Sequence, residues 1–121
     1  MTKSFEEARK TCVRNGGILF EPKNQQQNEE VANAGGEFDE NFWWIGVDDK
    51  EREGRFQWSS TKDNTTFSNW DVGQPDSYKG NYDCVFMYIH KSNVHVHGKW
   101  YDHSCDRKKN FICEFFEATY W

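Results

Sequence analysis

The chain is 121 residues long, which suits one domain, and 15 Lys and Arg against 20 Asp and Glu leave a formal net charge of −5. This mildly acidic balance argues against nucleic acid or an anionic membrane surface as the main partner. The longest apolar runs, such as Cys84 to Ile89, fall far short of the ~20 residues that a spanning helix needs. The 6 Trp, 5 Tyr and 10 Phe supply the apolar area that a hydrophobic content of 36% would otherwise leave thin.

In chain order, Met1 to Glu7 is polar and charged, unlike a signal peptide. Ser4 followed three residues later by Glu7 is a capping box, and Phe5, Ala8 and Cys12 recur at helical spacing until Asn15, Gly16 and Gly17 stop the helix. A weaker helix is expected over Asn24–Ala34, ending at Gly35 and Gly36. Phe42–Val47 reads as a buried strand and Phe56–Ser59 as a short one. Residues 61–81 are dense in Asn, Gly, Pro, Ser and Asp without a regular period, a loop longer than usual and of the kind that carries function. Strands are then expected at Cys84–His90, His95–Asp102 and Phe111–Phe116. Helices first and strands after predict an α+β fold.

Cys12, Cys84, Cys105 and Cys113 are spread along the chain rather than grouped as zinc or redox motifs. An even count in a small, loop-rich chain fits two disulfides and a secreted, extracellular domain. The count alone leaves three pairings open.

The sharpest local signal is the run from Asn69 through Trp70, Asp71, Val72, Gly73, Gln74 and Pro75 to Asp76, followed by Asp83 and Cys84. Gln74 and Asp76 flank a proline, and a cis Pro75 would let their oxygens converge. Oxygen ligands of this kind suit Ca²⁺, although Gln-Pro-Asp is also an ordinary turn sequence.

Taken in order, these landmarks resemble the C-type lectin-like domains: Ser4 to Arg9 leading into Cys12, then Trp44-Ile45-Gly46, Asn69-Trp70, Gln74-Pro75-Asp76, Cys84, Trp100-Tyr101-Asp102, Cys105 and Cys113. The resemblance covers nearly all of residues 1–121, read as a single carbohydrate-recognition domain. It implies two helices, small antiparallel sheets, an upper long-loop region, and the pairings Cys12–Cys113 and Cys84–Cys105. The family's usual first strand lies ahead of the first helix, where this chain has almost no residues. Two readings are open: the chain is trimmed ahead of this helix, or the final strand Phe111–Phe116 and the tail Tyr120-Trp121 find another partner, such as a second chain.

In sugar-binding members, sugar hydroxyls coordinate a bound Ca²⁺, and Gln-Pro-Asp resembles the galactose and N-acetylgalactosamine class. The resemblance implies Gln74, Asp76 and Asp102 as metal ligands and Tyr78 as a stacking residue for galactose. It further implies a carbohydrate-binding surface of Gln74, Asp76, Tyr78, Tyr82, Asp83, Tyr101 and Asp102. An auxiliary cation cluster matches at Asp49, Glu53 and Asp83 but not at Ser77 and Tyr82. Tyr82 and Tyr101 stand where the family usually has Glu and Asn, which weakens any Ca²⁺ site. The expected partners are galactose-terminated glycans, bound through a homo-oligomer that gains avidity from weak single sites. The alternative is a calcium-independent module of the same fold that binds a protein ligand, since tyrosine is favoured in interfaces.

Other features have plainer readings. Trp44, Trp58, Trp70 and Trp100 are expected in the core or anchoring loops. His95 and His97 would share a strand face as solvated histidines. Asn64-Thr65-Thr66 is a glycosylation sequon. No nucleophile–base pair or phosphate loop supports an enzyme.

Overall fold

The structure, a computed structural model, describes residues 2–35, 41–75 and 82–115. The elements are α1 (Phe5–Arg14), β1 (Gly17–Leu19), α2 (Gln25–Gly35), β2 (Phe42–Asp48), β3 (Gln57–Trp58), β4 (Cys84–Tyr88), β5 (Lys99–His103), β6 (Asn110–Phe111) and β7 (Cys113–Phe115). The α+β architecture agrees with the sequence reading. At the start of α1 the capping box forms, with Ser4 and Glu7 each accepting from the other's backbone or side chain. Phe5, Ala8 and Cys12 are the face it buries.

A five-stranded sheet runs β3-β2-β4-β5, with β6 added in parallel to β2. Because side chains alternate along a strand, the sheet separates two cores. Trp43, Ile45 and Val47 of β2, Val85 and Met87 of β4 and Trp100 of β5 pack with Val31 and Ala32 of α2. Trp44 of β2 and Cys84 and Phe86 of β4 pack with Phe5, Ala8 and Cys12 of α1. Trp44, Trp58 and Trp100 are buried and Trp70 packs against the first core, as expected. The disulfides are Cys12–Cys113 and Cys84–Cys105, the pairing that the resemblance implied.

Several expected strands are redrawn. Gly17–Leu19, of which the sequence reading takes only Gly17, as part of the helix stop, is β1, and it pairs with β7 from Gly17↔Phe115 to Leu19↔Cys113. The last strand thus finds its partner within the chain, and the second chain considered for it is not required by this pairing. Phe111–Phe116 is not one strand. It breaks at buried Ile112, whose carbonyl accepts from Phe20 N at 2.8 Å, so that β6 faces β2 and β7 faces β1. Phe116, Tyr120 and Trp121 lie outside the described residues. The strand expected over His95–Asp102 begins only at Lys99, because 94–98 are turns. His95 and His97 therefore share no strand face. His97 Nδ1 accepts the His90 backbone N–H at 3.0 Å, and its Nε2 meets Asn33 Oδ1 at 3.1 Å.

Candidate functional site

The long loop is strapped along β5. Trp100 N donates to Asn69 O at 2.9 Å, Asp71 N donates to Trp100 O at 3.2 Å, and the Asn69 amide donates to Gly98 O at 2.7 Å. Edge-to-face rings reinforce the strap: Trp70 lies 5.6 Å from Trp100 and 4.8 Å from Phe56, and Phe67 lies 5.8 Å from Trp100. Trp100 is fixed from behind by α2, its indole N–H donating to Asn28 Oδ1 at 2.8 Å. Sequence reasoning missed Asn28, since one amide inside a weakly amphipathic helix carries no signal of burial.

Beyond Asp71 the chain turns, with Gln74 N on Asp71 O at 3.0 Å and Gly73 at φ 82°, a left-handed position that favours glycine. The Gln74–Pro75 bond is cis. Gln74 Oε1 accepts the backbone N–H of buried Asp102 at 3.3 Å, so two of the expected ligands come together. Asp76, Ser77 and Tyr78 lie outside the described residues. Tyr82 packs edge-on against His103 at 5.0 Å.

Tyr101 is held in a different role. Its ring stacks on Phe86 at 5.3 Å and 13°, and its hydroxyl donates to Asp71 Oδ2. Burial first, then the Asp71 contact, pushes the phenol well above its ordinary range. The tyrosine therefore binds loop to sheet from the position where the family's asparagine usually stands. Asp71 was not singled out in the sequence, and a lone Asp in a polar loop offers no sign of that bond.

The auxiliary residues do assemble. Asp49, Glu53 and Asp83 each bring a carboxylate oxygen within 4.8 Å of the others. Asp49 Oδ2 accepts from Gly54 N at 2.8 Å, while Asp49 Oδ1 and Asp83 Oδ1 are buried without a hydrogen-bond partner. Burial is the main cause that raises Asp49 to about 7, with Asp83 and Glu53 adding to it and the Gly54 amide opposing. Asp83 is raised as well, again chiefly by burial. Converging carboxylates with unpartnered buried oxygens are the donor set a hard dication fits. Gln74 Oε1 reaches the backbone N–H of Asp102, while the Tyr101 hydroxyl is engaged with Asp71.

Comparison with known proteins agrees with this fold. Residues 1–115 match the Lectin C-type domain family. The chain is 33% identical over 117 residues to Collectin-11 of Danio rerio, covering 97% of this chain and 41% of that protein. It is 35% identical over 108 residues to Salivary C-type lectin 1 of Aedes albopictus, covering 85% and 70%. The fold is similar to the mouse scavenger receptor C-type lectin carbohydrate-recognition domain, with TM-score 0.81, 26% identity, and coverage of 93% of this chain and 82% of that one. It is similar too to human lithostathine, with TM-score 0.78, 25% identity, and coverage of 93% and 83%. The chain spans less than half the length of the collectin it matches. The match covers most of the chain, and the chain belongs to the C-type lectin domain family.

Proposed function

We propose that this domain is a non-enzymatic lectin that binds terminal galactose or N-acetylgalactosamine at the end of the long loop. The observation that supports the reading is Gln74 Oε1 accepting the Asp102 backbone N–H, which holds Gln74 beside β5. Gln74, Asp76 and Asp102 are the proposed Ca²⁺ ligands there, with Tyr78, Tyr82, Asp83 and Tyr101 on the surrounding carbohydrate-binding surface and Tyr78 stacking on the sugar. Asp49, Glu53 and Asp83 would hold an auxiliary Ca²⁺, whose charge would offset their mutual repulsion at the loop base. When bound, Ca²⁺ supplies positive charge and open positions for vicinal sugar hydroxyls. The protein's own part is to present Gln74, from a loop fixed by Trp70, Asn69 and Asp71, beside Asp102 of β5.

Two disulfides support an extracellular setting, and avidity for galactose-terminated glycans is expected to come from a homo-oligomer. The test is retention on galactose–agarose in millimolar CaCl₂. Elution by free galactose and loss of retention in Gln74→Ala support the reading; indifference to galactose overturns it. One observation favours a second reading, a calcium-independent module that binds a protein ligand. The Tyr101 hydroxyl is engaged with Asp71 rather than free for a cation.

A further inference from the structure

Arg107, Lys108 and Lys109 are consecutive in an otherwise acidic chain. Lys109 exchanges two backbone hydrogen bonds with Lys3, each 2.9 Å, and so gathers four cationic residues at one end of the sheet. None of the ion pairs among the described residues uses any of the four. Glu7 is the acid whose charge Lys3 and Lys108 feel, and its carboxylate is engaged by the Ser4 N–H and hydroxyl at 3.1 Å each.

Lys109 is half-buried, its Nζ 4.4 Å from the centre of the Phe86 ring, 5.2 Å from Phe42 and 5.3 Å from Trp44. An ammonium partly stripped of water is costly without an anionic partner, and three ring faces replace only part of its hydration. Burial accordingly lowers Lys109 to about 8. Beside it Thr2, Phe42, Lys108, Lys109 and Asn110 line a cavity of about 100 Å³. That is room for a few waters or one oxyanion group, not for a sugar ring. Next to it Phe42 leaves 42% of its surface exposed, apolar area on which a pyranose can pack.

We infer that the Lys108–Lys109 cavity is a separate saccharide subsite that seats the oxyanion of an acidic sugar, a sulfate ester or a carboxylate, with the sugar ring laid on Phe42. The cavity supplies charged and neutral donors, and Phe42 supplies the preference for an oxyanion carried on a ring. The site shares no residue with Gln74 or Asp102.

The experiment is titration with glucose 6-sulfate and with glucuronate in EDTA, so that a calcium-dependent galactose site contributes nothing. It is followed by the side-chain ε resonances of the lysines in ¹H–¹³C spectra. Saturable shifts at Lys108 and Lys109 with either acidic sugar are expected, with plain glucose silent and inorganic sulfate several-fold weaker. Lys108→Gln, at an exposed position that leaves the fold intact, should weaken binding roughly 3- to 10-fold because one charge-assisted contact is lost. Phe42→Ala should bring the acidic sugar down to the strength of inorganic sulfate, and Gln74→Ala should change nothing. Absence of shifts with both acidic sugars overturns the inference. So does an equal response to inorganic sulfate, or an equal loss in Gln74→Ala.

Discussion

Asp49 and Asp83 meet at the base of the long loop, the Asp49 N–H on the Asp83 carbonyl at 2.9 Å and one carboxylate oxygen of each buried without a hydrogen-bond partner. Asp49 is raised to about 7 in the folded protein against an ordinary 3.8. Between those values the folded state holds the extra proton, so the metal-free domain loses stability as pH rises from about 4 to about 7. A dication that replaces the proton relieves this loss. Calorimetric melting should therefore show a larger rise in Tm on adding CaCl₂ at pH 7 than at pH 5, where protons compete. Asp49→Asn should remove the difference between the two pH values and shrink the rise at both. Equal gains at the two pH values would contradict the assignment of the triad as a cation site.

Asn28 holds two groups at once, accepting from the Trp100 indole at 2.8 Å and donating to Gly98 O at 3.0 Å. Asn28→Ala leaves the buried indole N–H without that partner, and a cost of about 2 kcal/mol is expected from such losses. Urea unfolding should show the midpoint falling with an unchanged slope. Because Trp100 also anchors Asn69 and Asp71, galactose affinity should fall in the same variant, which a purely local packing defect would not produce.

His97 contributes a pH dependence of opposite sign. Its Nδ1 accepts the His90 N–H, a role open only to the neutral ring, and burial lowers its pKa below 6.5. The folded state resists protonation, so stability is present above pH 6.5 and is lost as pH falls through the lowered value. A histidine titration by NMR should place His97 below the ordinary histidine value of 6.5, and His97→Gln should flatten the acid limb of stability.

The two disulfides differ in what they close. Cys12–Cys113 spans 101 residues and Cys84–Cys105 spans 21. Loop entropy predicts about 5 kcal/mol for the first and about 3 kcal/mol for the second. Paired Cys→Ser variants, measured by denaturant unfolding, should rank in that order.

The parts legible in the sequence are those in which one residue pattern has one physical outcome. The Ser4–Glu7 box starts α1, and the apolar run from Phe42 to Val47 becomes the central strand. The disulfide pairing was legible only through family resemblance, because four spread cysteines allow three pairings. What stayed hidden depends on contacts distant in sequence. Gly17–Leu19 is a strand because β7 lies beside it, 94 to 98 residues away, and its glycine-rich start reads locally as a stop. Asp71 holds Tyr101, and Asn28 holds Trp100, through bonds that no local spacing encodes. In the candidate site, Asp49, Glu53 and Asp83 could be named by motif, but the burial that raises Asp49 and Asp83 is a property of the folded loop base.

The central claim, a galactose site at Gln74 and Asp102, is tested most directly by calorimetric titration. Galactose and mannose would each be titrated in millimolar CaCl₂ and again in EDTA. The account predicts heat with galactose in CaCl₂, a several-fold weaker response to mannose, and loss of the galactose heat in EDTA. No heat with galactose under either condition would contradict it and would favour the protein-binding reading.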